Sequence, residues 1–197
     1  MTDPHCLAVG ECGLDYSPNF PPSEAQLSWF RAHVRLALKH ALPLYVHVRE
    51  AHDDFLAAID DEMPVAGGSS EGPPPGTMSV CVHCFTGTTA ELDVYCRRGY
   101  YVSLSGHVLR MRSKPDSPDL ADWLRVIPPD RLLIETDAPY MGFKGCRASE
   151  AAKKTQNYPN VPAALPLVLQ ALVDAGGGSF EELARRTTAN ALRFLRQ

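Results

Sequence analysis

The sequence predicts an α/β fold built on a parallel sheet, of the barrel type but short of strands. Three observations carry this. Short apolar runs alternate with amphipathic segments along the whole chain, which within one domain means parallel strands joined by right-handed crossover helices. Five such runs are present, whereas a closed (β/α)8 barrel needs eight strands and typically about 250 residues. Four of the runs end on or beside a Glu, His or Asp: Glu11, His47, His83 and Asp137. The C-terminal ends of barrel strands are where α/β barrels assemble their active sites.

The elements follow in order. Leu7–Val9 is a short strand leading into Gly10-Glu11. Ser23 and Gln26 have the spacing of a capping box. They open a helix with Leu27, Phe30, Val34 and Leu38 on one face. Leu44–Val48 is the second strand, followed from about Ala51 by a helix with Phe55, Leu56 and Ile59 inward. Residues 65–77 (VAGGSSEGPPPGT) are low-complexity and have nothing to bury, which predicts a surface loop. Met78–Cys84 is the third strand. Thr88 and Glu91 cap the next helix, which carries Leu92 and Tyr95. Tyr100–Leu104 is the fourth strand, and Ser117-Pro118 starts a helix with Leu120, Trp123 and Ile127 inward. Arg131–Glu135 is the fifth strand. An irregular stretch over 138–162 precedes two closing helices, Ala163–Ala175 and Phe180–Leu195, the second with Ser179 and Glu182 as its cap.

At 197 residues the chain reads as a single domain over 1–197. Its 45% hydrophobic and 21% charged content is that of an ordinary globular protein. The formal net charge of −4 argues against a broad basic footprint for nucleic acid. It does not exclude a nucleic-acid enzyme, because bound metal ions add positive charge that this count omits. Six cysteines, four of them in or beside apolar runs, read as packed thiols rather than a disulfide framework. With no signal peptide and no apolar run of transmembrane length, the expectation is a cytoplasmic setting, with a nuclear one also open, and no membrane partner.

The chemistry lies in four ordered motifs: G-E-C-G-L-D-Y (10–16), V-H-V-R (46–49), V-H-C-F-T-G (82–87) and I-E-T-D-A-P-Y (134–140). Divalent metals take this mixture of imidazole and carboxylate ligands. A lone histidine is usually packed or surface-exposed, and His5, His33, His40 and His52 take that reading. Two histidines at matching strand ends, with two carboxylates at two more, point instead to a metal centre. Glu11 lies between small residues that let the backbone bend beside a ligand. Pro139 stiffens the turn after Asp137, and an Asp beside a metal can take a proton from a water. Arg49, two residues after His47, is a candidate phosphate clamp, since its guanidinium fork fits phosphate bidentately. Cys81 and Cys84 have redox or zinc-ribbon spacing, but along one strand their sulfurs face opposite ways. Lys144, Arg147, Lys153 and Lys154 form a loose basic cluster that reads as solvated loop.

Together, G-E-C-G-L-D-Y, P-L-Y-V-H-V-R-E-A-H, H-C-F-T-G, the Ser105-Gly106 pair and L-L-I-E-T-D-A-P-Y resemble the TatD family of metal-dependent deoxyribonucleases, within the metal-dependent hydrolases on TIM barrels. The resemblance runs from about Leu7 to the C-terminus. It implies phosphodiester hydrolysis, most often of DNA and often 3′→5′ exonucleolytic, with one to three divalent ions (Mg, Mn or Zn). The five strands would correspond to strands 4 to 8 of the barrel. Glu11 resembles the bridging carboxylate, His47 and His83 the ligands that hold one metal with it, and Asp137 a ligand of a second metal and partner of the nucleophilic water. The family opens on a strand ending in H-x-H, a motif that occurs nowhere in this sequence. The expectation is therefore an N-terminally truncated barrel lacking strands 1 to 3, with open sheet edges prone to self-association. Two rival readings stand beside the nuclease: an amidohydrolase-type enzyme on the same scaffold, and a non-catalytic or weakly active chain that binds one metal.

Overall fold

Five parallel strands pair in chain order: β1 (Val9–Asp15), β2 (Leu44–Arg49), β3 (Val80–Val82), β4 (Tyr101–Leu104) and β5 (Leu132–Ile134). The structure is a computed structural model that describes residues 3, 5–63, 78–111, 119–147 and 159–196. The run 65–77, Ser117-Pro118, Lys153 and Lys154 lie outside the described residues. Crossovers are α1 (Ser23–His40), α2 (His52–Glu62), α3 (Thr89–Arg97) and the pair α4 (His107–Met111) and α5 (Leu120–Val126). A 3-10 turn (Pro162–Ala164), α6 (Leu165–Asp174) and α7 (Phe180–Phe194) follow β5. Among the described residues β1 and β5 each pair on one side only, and no helix is long and apolar enough to cross a membrane.

Strand alternation sorts the side chains into two faces. Leu14, Leu44, Val46, Val80, Val82, Val102, Leu104 and Leu132 belong to the main core. Against it pack Phe30 and Val34 of α1, Phe55 and Ile59 of α2, Leu92 and Tyr95 of α3, and Trp123 of α5. The opposite face carries Tyr45, Cys81, Tyr101 and Leu133, which pack on Phe194 and Ala191 of α7 and on Leu195 just after it. The Phe194 ring sits 5.3 Å from that of Tyr101 and 6.4 Å from that of Tyr45. Asn190, almost wholly buried, anchors α7 by donating from Nδ2 to the carbonyls of Pro129 and Leu132, both at 2.9 Å.

Three local expectations are corrected. The first strand does not stop before Glu11 but continues to Asp15, because Gly10 and Gly13 allow an approach that no side chain would. A Cβ at Gly10 would lie 2.4 Å from the Tyr45 carbonyl oxygen, and one at Gly13 would lie 1.9 Å from that of His47. Ser23 does not cap α1. Pro22 occupies the N-cap position, and Gln26 instead accepts from the Asp15 N–H and donates to the Asp15 carbonyl, both at 2.7 Å. The short helix α4 was not foreseen, since five residues give too little periodicity to read. The Thr88–Glu91 capping box is present in full, and Ser179 accepts from the Glu182 N–H as its spacing predicts.

Asn190 gives a test of the α7 anchor. Asn190→Ala leaves two carbonyls without their donor and should cost about 1–3 kcal/mol in urea unfolding. Arg185→Ala, exposed on the same helix, should stay within about 0.5 kcal/mol of the parent.

Candidate metal centre

Glu11, His47 and His83 meet on the sheet face opposite the main core, the face that carries Tyr45 and Tyr101. A bulge in β1 brings the first of them there. Val9 pairs with Leu44 and Cys12 with Val46, so three steps on β1 match two on β2, and the extra residue turns Glu11 toward this face. His47 lies in the last half of β2. His83 follows β3 directly, its N–H donating to the Val46 carbonyl at 2.9 Å.

Glu11, His47 and His83 converge. One ligand atom from each lies within 4.8 Å of the others. Glu11 Oε1 is 2.9 Å from His83 Nε2 and 3.7 Å from His47 Nδ1. The other nitrogen of each ring faces a second carboxylate. His47 Nε2 donates to Asp15 Oδ2 at 2.9 Å, and His83 Nδ1 lies 3.4 Å from Glu135 Oε1. These outer carboxylates are themselves held. Asp15 accepts from both the N–H and the hydroxyl of Ser17. Glu135 accepts from the Tyr45 hydroxyl and the Cys84 N–H. Tyr45 also stacks on His83, with ring centroids 4.8 Å apart.

Electrostatics follow from this packing. Burial alone would lower the His83 pKa, but the Glu135 and Glu11 carboxylates outweigh it and raise it. Burial opposes the Asp15 charge, yet the hydrogen bonds from Ser17 and His47 hold its carboxyl below the usual range. The Asp137 carboxyl is raised, by burial first and by the neighbouring Glu135 charge, against the pull of His83.

Asp137 is not one of the three converging ligands. It sits just past β5 in the left-handed region, φ 60°, with Oδ2 accepting from the Cys84 thiol at 3.6 Å. Asn160 ties this turn down, donating to the Thr136 carbonyl at 2.6 Å and to that of Pro139 at 3.0 Å. Arg49 ends β2 half-exposed, with loose contacts to Asp15 (4.0 Å) and Glu50 (3.9 Å). His33 and His52 have ordinary partners, the Trp29 carbonyl and the Tyr95 hydroxyl.

Asp15, Glu135 and Tyr45 were missed in the sequence, although a signal exists. Glu135 lies two residues before Asp137, and Asp15 four after Glu11. Even spacing along a strand shares a face, which pairs Asp15 with Glu11 on β1, while Glu135 continues the alternation of β5 one residue past Ile134.

The cysteines are all free thiols. β3 ends at Val82, so strict alternation does not extend to Cys84. Its Sγ turns to the Ser105 hydroxyl at 3.1 Å, while Cys81 stays wholly buried in the layer beneath.

A family model described as TatD related DNase matches residues 1–196. The chain is 35% identical over 193 residues to the "3′-5′ ssDNA/RNA exonuclease TatD" of Erwinia billingiae, covering 98% of this chain and 67% of that protein. It is 36% identical over 191 residues to the protein of the same name from Citrobacter rodentium, covering 95% and 64%. The chain thus spans about two thirds of the length of these relatives. Among solved structures it is similar to a TatD homologue from Escherichia coli K12 (TM-score 0.74, 25% identity, 96% of this chain and 64% of that one). It is also similar to a TatD family hydrolase from Entamoeba histolytica (TM-score 0.72, 26% identity, 95% and 62%).

Thiol titration checks the packing. Burial pushes Cys12 and Cys96 up to about 12 and raises Cys81 and Cys84 as well. A raised pKa leaves less thiolate at about pH 8, so these groups should react slowly with a disulfide reagent. Cys146 is likewise buried, so exposed Cys6 should be the single fast equivalent in the folded protein, with all six reacting after denaturation. Two or more fast equivalents would contradict the packing.

Proposed function

This chain belongs to the TatD-related DNase family, and from that premise we propose that it is a divalent-metal-dependent phosphodiester hydrolase acting on nucleic acid, most specifically a deoxyribonuclease of the 3′→5′ exonuclease type. The observation that carries this reading is the Glu11–His47–His83 triad. One carboxylate and two imidazoles, each ring turned toward Glu11 and backed by a second carboxylate, form a donor set that fits a divalent ion. The triad does not discriminate between Mg, Mn and Zn.

In this reading Glu11, His47 and His83 hold the ion. When bound, a divalent ion supplies Lewis acidity toward a phosphoryl oxygen and lowers the pKa of a water. Asp137 accepts the proton of the attacking water at a carboxylate oxygen. Its raised pKa brings it closer to neutrality and so suits it to that task. Arg49, exposed and only loosely paired, binds and orients a phosphate. Tyr140, three residues after Asp137 and 72% exposed, offers a face on which an unpaired base stacks. The relatives' names extend the substrate to single-stranded DNA or RNA. The five strands are read as the last five of the eight-stranded barrel.

A second reading has an observation of its own. Asp137 lies outside the triad, which favours a chain that binds one metal and turns over little or nothing.

The test is hydrolysis of 3′-labelled single-stranded DNA with Mg²⁺, Mn²⁺ or Zn²⁺. Activity should vanish with chelator and return with metal. The Glu11→Ala, Asp137→Ala double variant should lose at least about 10²-fold in kcat, and Arg49→Ala should raise KM more than it lowers kcat. A double variant as fast as the parent would refute the site assignment. Stoichiometric metal without turnover would establish the second reading.

A further inference from the structure

Each histidine of the triad has two ring nitrogens, and only one can serve a metal. We propose that Asp15 and Glu135 are positioning residues that decide which nitrogen it is; this rests on the metal-centre reading above. The geometry assigns the two rings opposite orientations. His47 directs Nε2 to Asp15 (2.9 Å) and leaves Nδ1 facing Glu11. His83 directs Nδ1 to Glu135 (3.4 Å) and leaves Nε2 facing Glu11 at 2.9 Å. An ionised carboxylate only accepts hydrogen bonds, so each outer carboxylate holds a proton on the nitrogen it faces. The inner nitrogen, which faces Glu11, is then the one that gives its lone pair to an ion, releasing any proton it shares with Glu11.

The outer carboxylates are built in rather than incidental. Asp15 is buried, with 5% of its surface exposed. Its Oδ1 accepts twice from Ser17, which leaves Oδ2 for His47. Gln26 clamps both backbone groups of Asp15. The Glu135 carboxylate divides its two oxygens in the same manner. Oε2 accepts from the Tyr45 hydroxyl, while Oε1 faces His83 and accepts from the Cys84 N–H. Tyr45, stacked on His83, thus fixes both the ring and the carboxylate behind it. Asp15 lies on β1, the strand that delivers Glu11, and Glu135 directly follows β5, so the sheet that places Glu11 places the supports for the histidines as well.

The experiment measures Zn²⁺ affinity of the full chain by competition with a chromophoric chelator. It also records long-range ¹H–¹⁵N spectra of the imidazole nitrogens, which report the position of each ring proton. The variants are Asp15→Asn and Glu135→Gln, with His47→Ala and His83→Ala as controls and for signal assignment. The parent should bind one Zn²⁺ and carry its protons on Nε2 of His47 and Nδ1 of His83. Each alanine control should abolish binding. Asp15→Asn and Glu135→Gln should each weaken binding by about 10–100-fold, and each should redistribute the proton on its own histidine alone.

Where an outer variant does not fold, Ser17→Ala and Tyr45→Phe take its place. They loosen the same carboxylates without removing them, and are expected to shift affinity and proton position in the same direction. If the alanine controls abolish binding but the outer variants bind like the parent with unchanged spectra, the positioning role is overturned and the metal centre stands. Weaker binding with unchanged proton positions would assign Asp15 and Glu135 a structural role only, and also overturns the proposal. A parent that binds no metal refutes the underlying reading and the positioning role with it.

Discussion

The constraint on which the rest depends is the two-residue period of a strand, broken once. Along β2 to β5 every second residue enters the main core, and the residues between them form the opposite face. That parity alone puts Tyr45, His47, Cys81, His83, Leu133 and Glu135 together. β1 would fail it, because Val9 and Glu11 are two apart and would share a face. The bulge between Val9 and Cys12 inserts one residue and reverses the parity, so that Val9 and Cys12 both enter the core while Glu11 turns to the histidines. A one-residue slip in register moves every side chain to the other face, and here such a slip has been made deliberately at one point. Gly10 and Gly13 permit it because their backbones approach Tyr45 and His47 more closely than a Cβ allows.

The polar face stands on an apolar one. Tyr45, Cys81, Tyr101 and Leu133 form a layer closed from below by Phe194, which helps keep His83 at 4% exposure. Burying an imidazole between two carboxylates is costly unless each polar atom has a partner. Here the partners are supplied in series: Tyr45 hydroxyl to Glu135, Glu135 to His83, His83 to Glu11. Tyr45 belongs to both layers, its ring to the apolar packing and its hydroxyl to the polar chain. Loss of α7 from the sheet would therefore loosen the ring that orders the site as well as expose apolar surface.

Much of this was legible in the sequence, and the failures have physical causes. Alternation of runs identified the parallel sheet, and all five strands are present. Helix faces such as Phe30 and Val34 or Leu92 and Tyr95 enter the core as their spacing predicts. Glu11, His47 and His83 could be singled out because apolar runs lead into them. Asp15 could not be recognised in that way. It lies beyond the expected strand Leu7–Val9, and its membership of β1 depends on glycines accepting a close approach, which is a tertiary fact. Glu135 was overshadowed by Asp137, two residues further along the same motif. The Ser23–Gln26 pair matched a local capping rule and lost to a tertiary contact: an amide that can satisfy both backbone groups of Asp15 does more there than it could at a helix end. Residues 65–77 and 148–158, which include part of the basic cluster, lie outside the described residues.

Charge bears on what the site is built to accept. Glu11, Asp15, Glu135 and Asp137 bring four carboxyl groups around two imidazoles, and among them Arg49 contacts Asp15, at 4.0 Å. Even with both rings protonated, full ionisation leaves the negative charges in excess. Part of that excess is relieved within the chain: the pKa of His83 rises, that of Asp137 rises, and Cys84 is kept as a neutral thiol that can donate to Asp137. These shifts favour the protonated forms of groups that surround the proposed cation site. A divalent ion between Glu11 and the two inner nitrogens would balance the carboxylates directly and release any proton shared by Glu11 and His83. Under the proposed function the same excess bears on the substrate. A phosphodiester is itself an anion, and it would approach these carboxylates only where positive charge from an ion, assisted at the rim by Arg49, had been placed first.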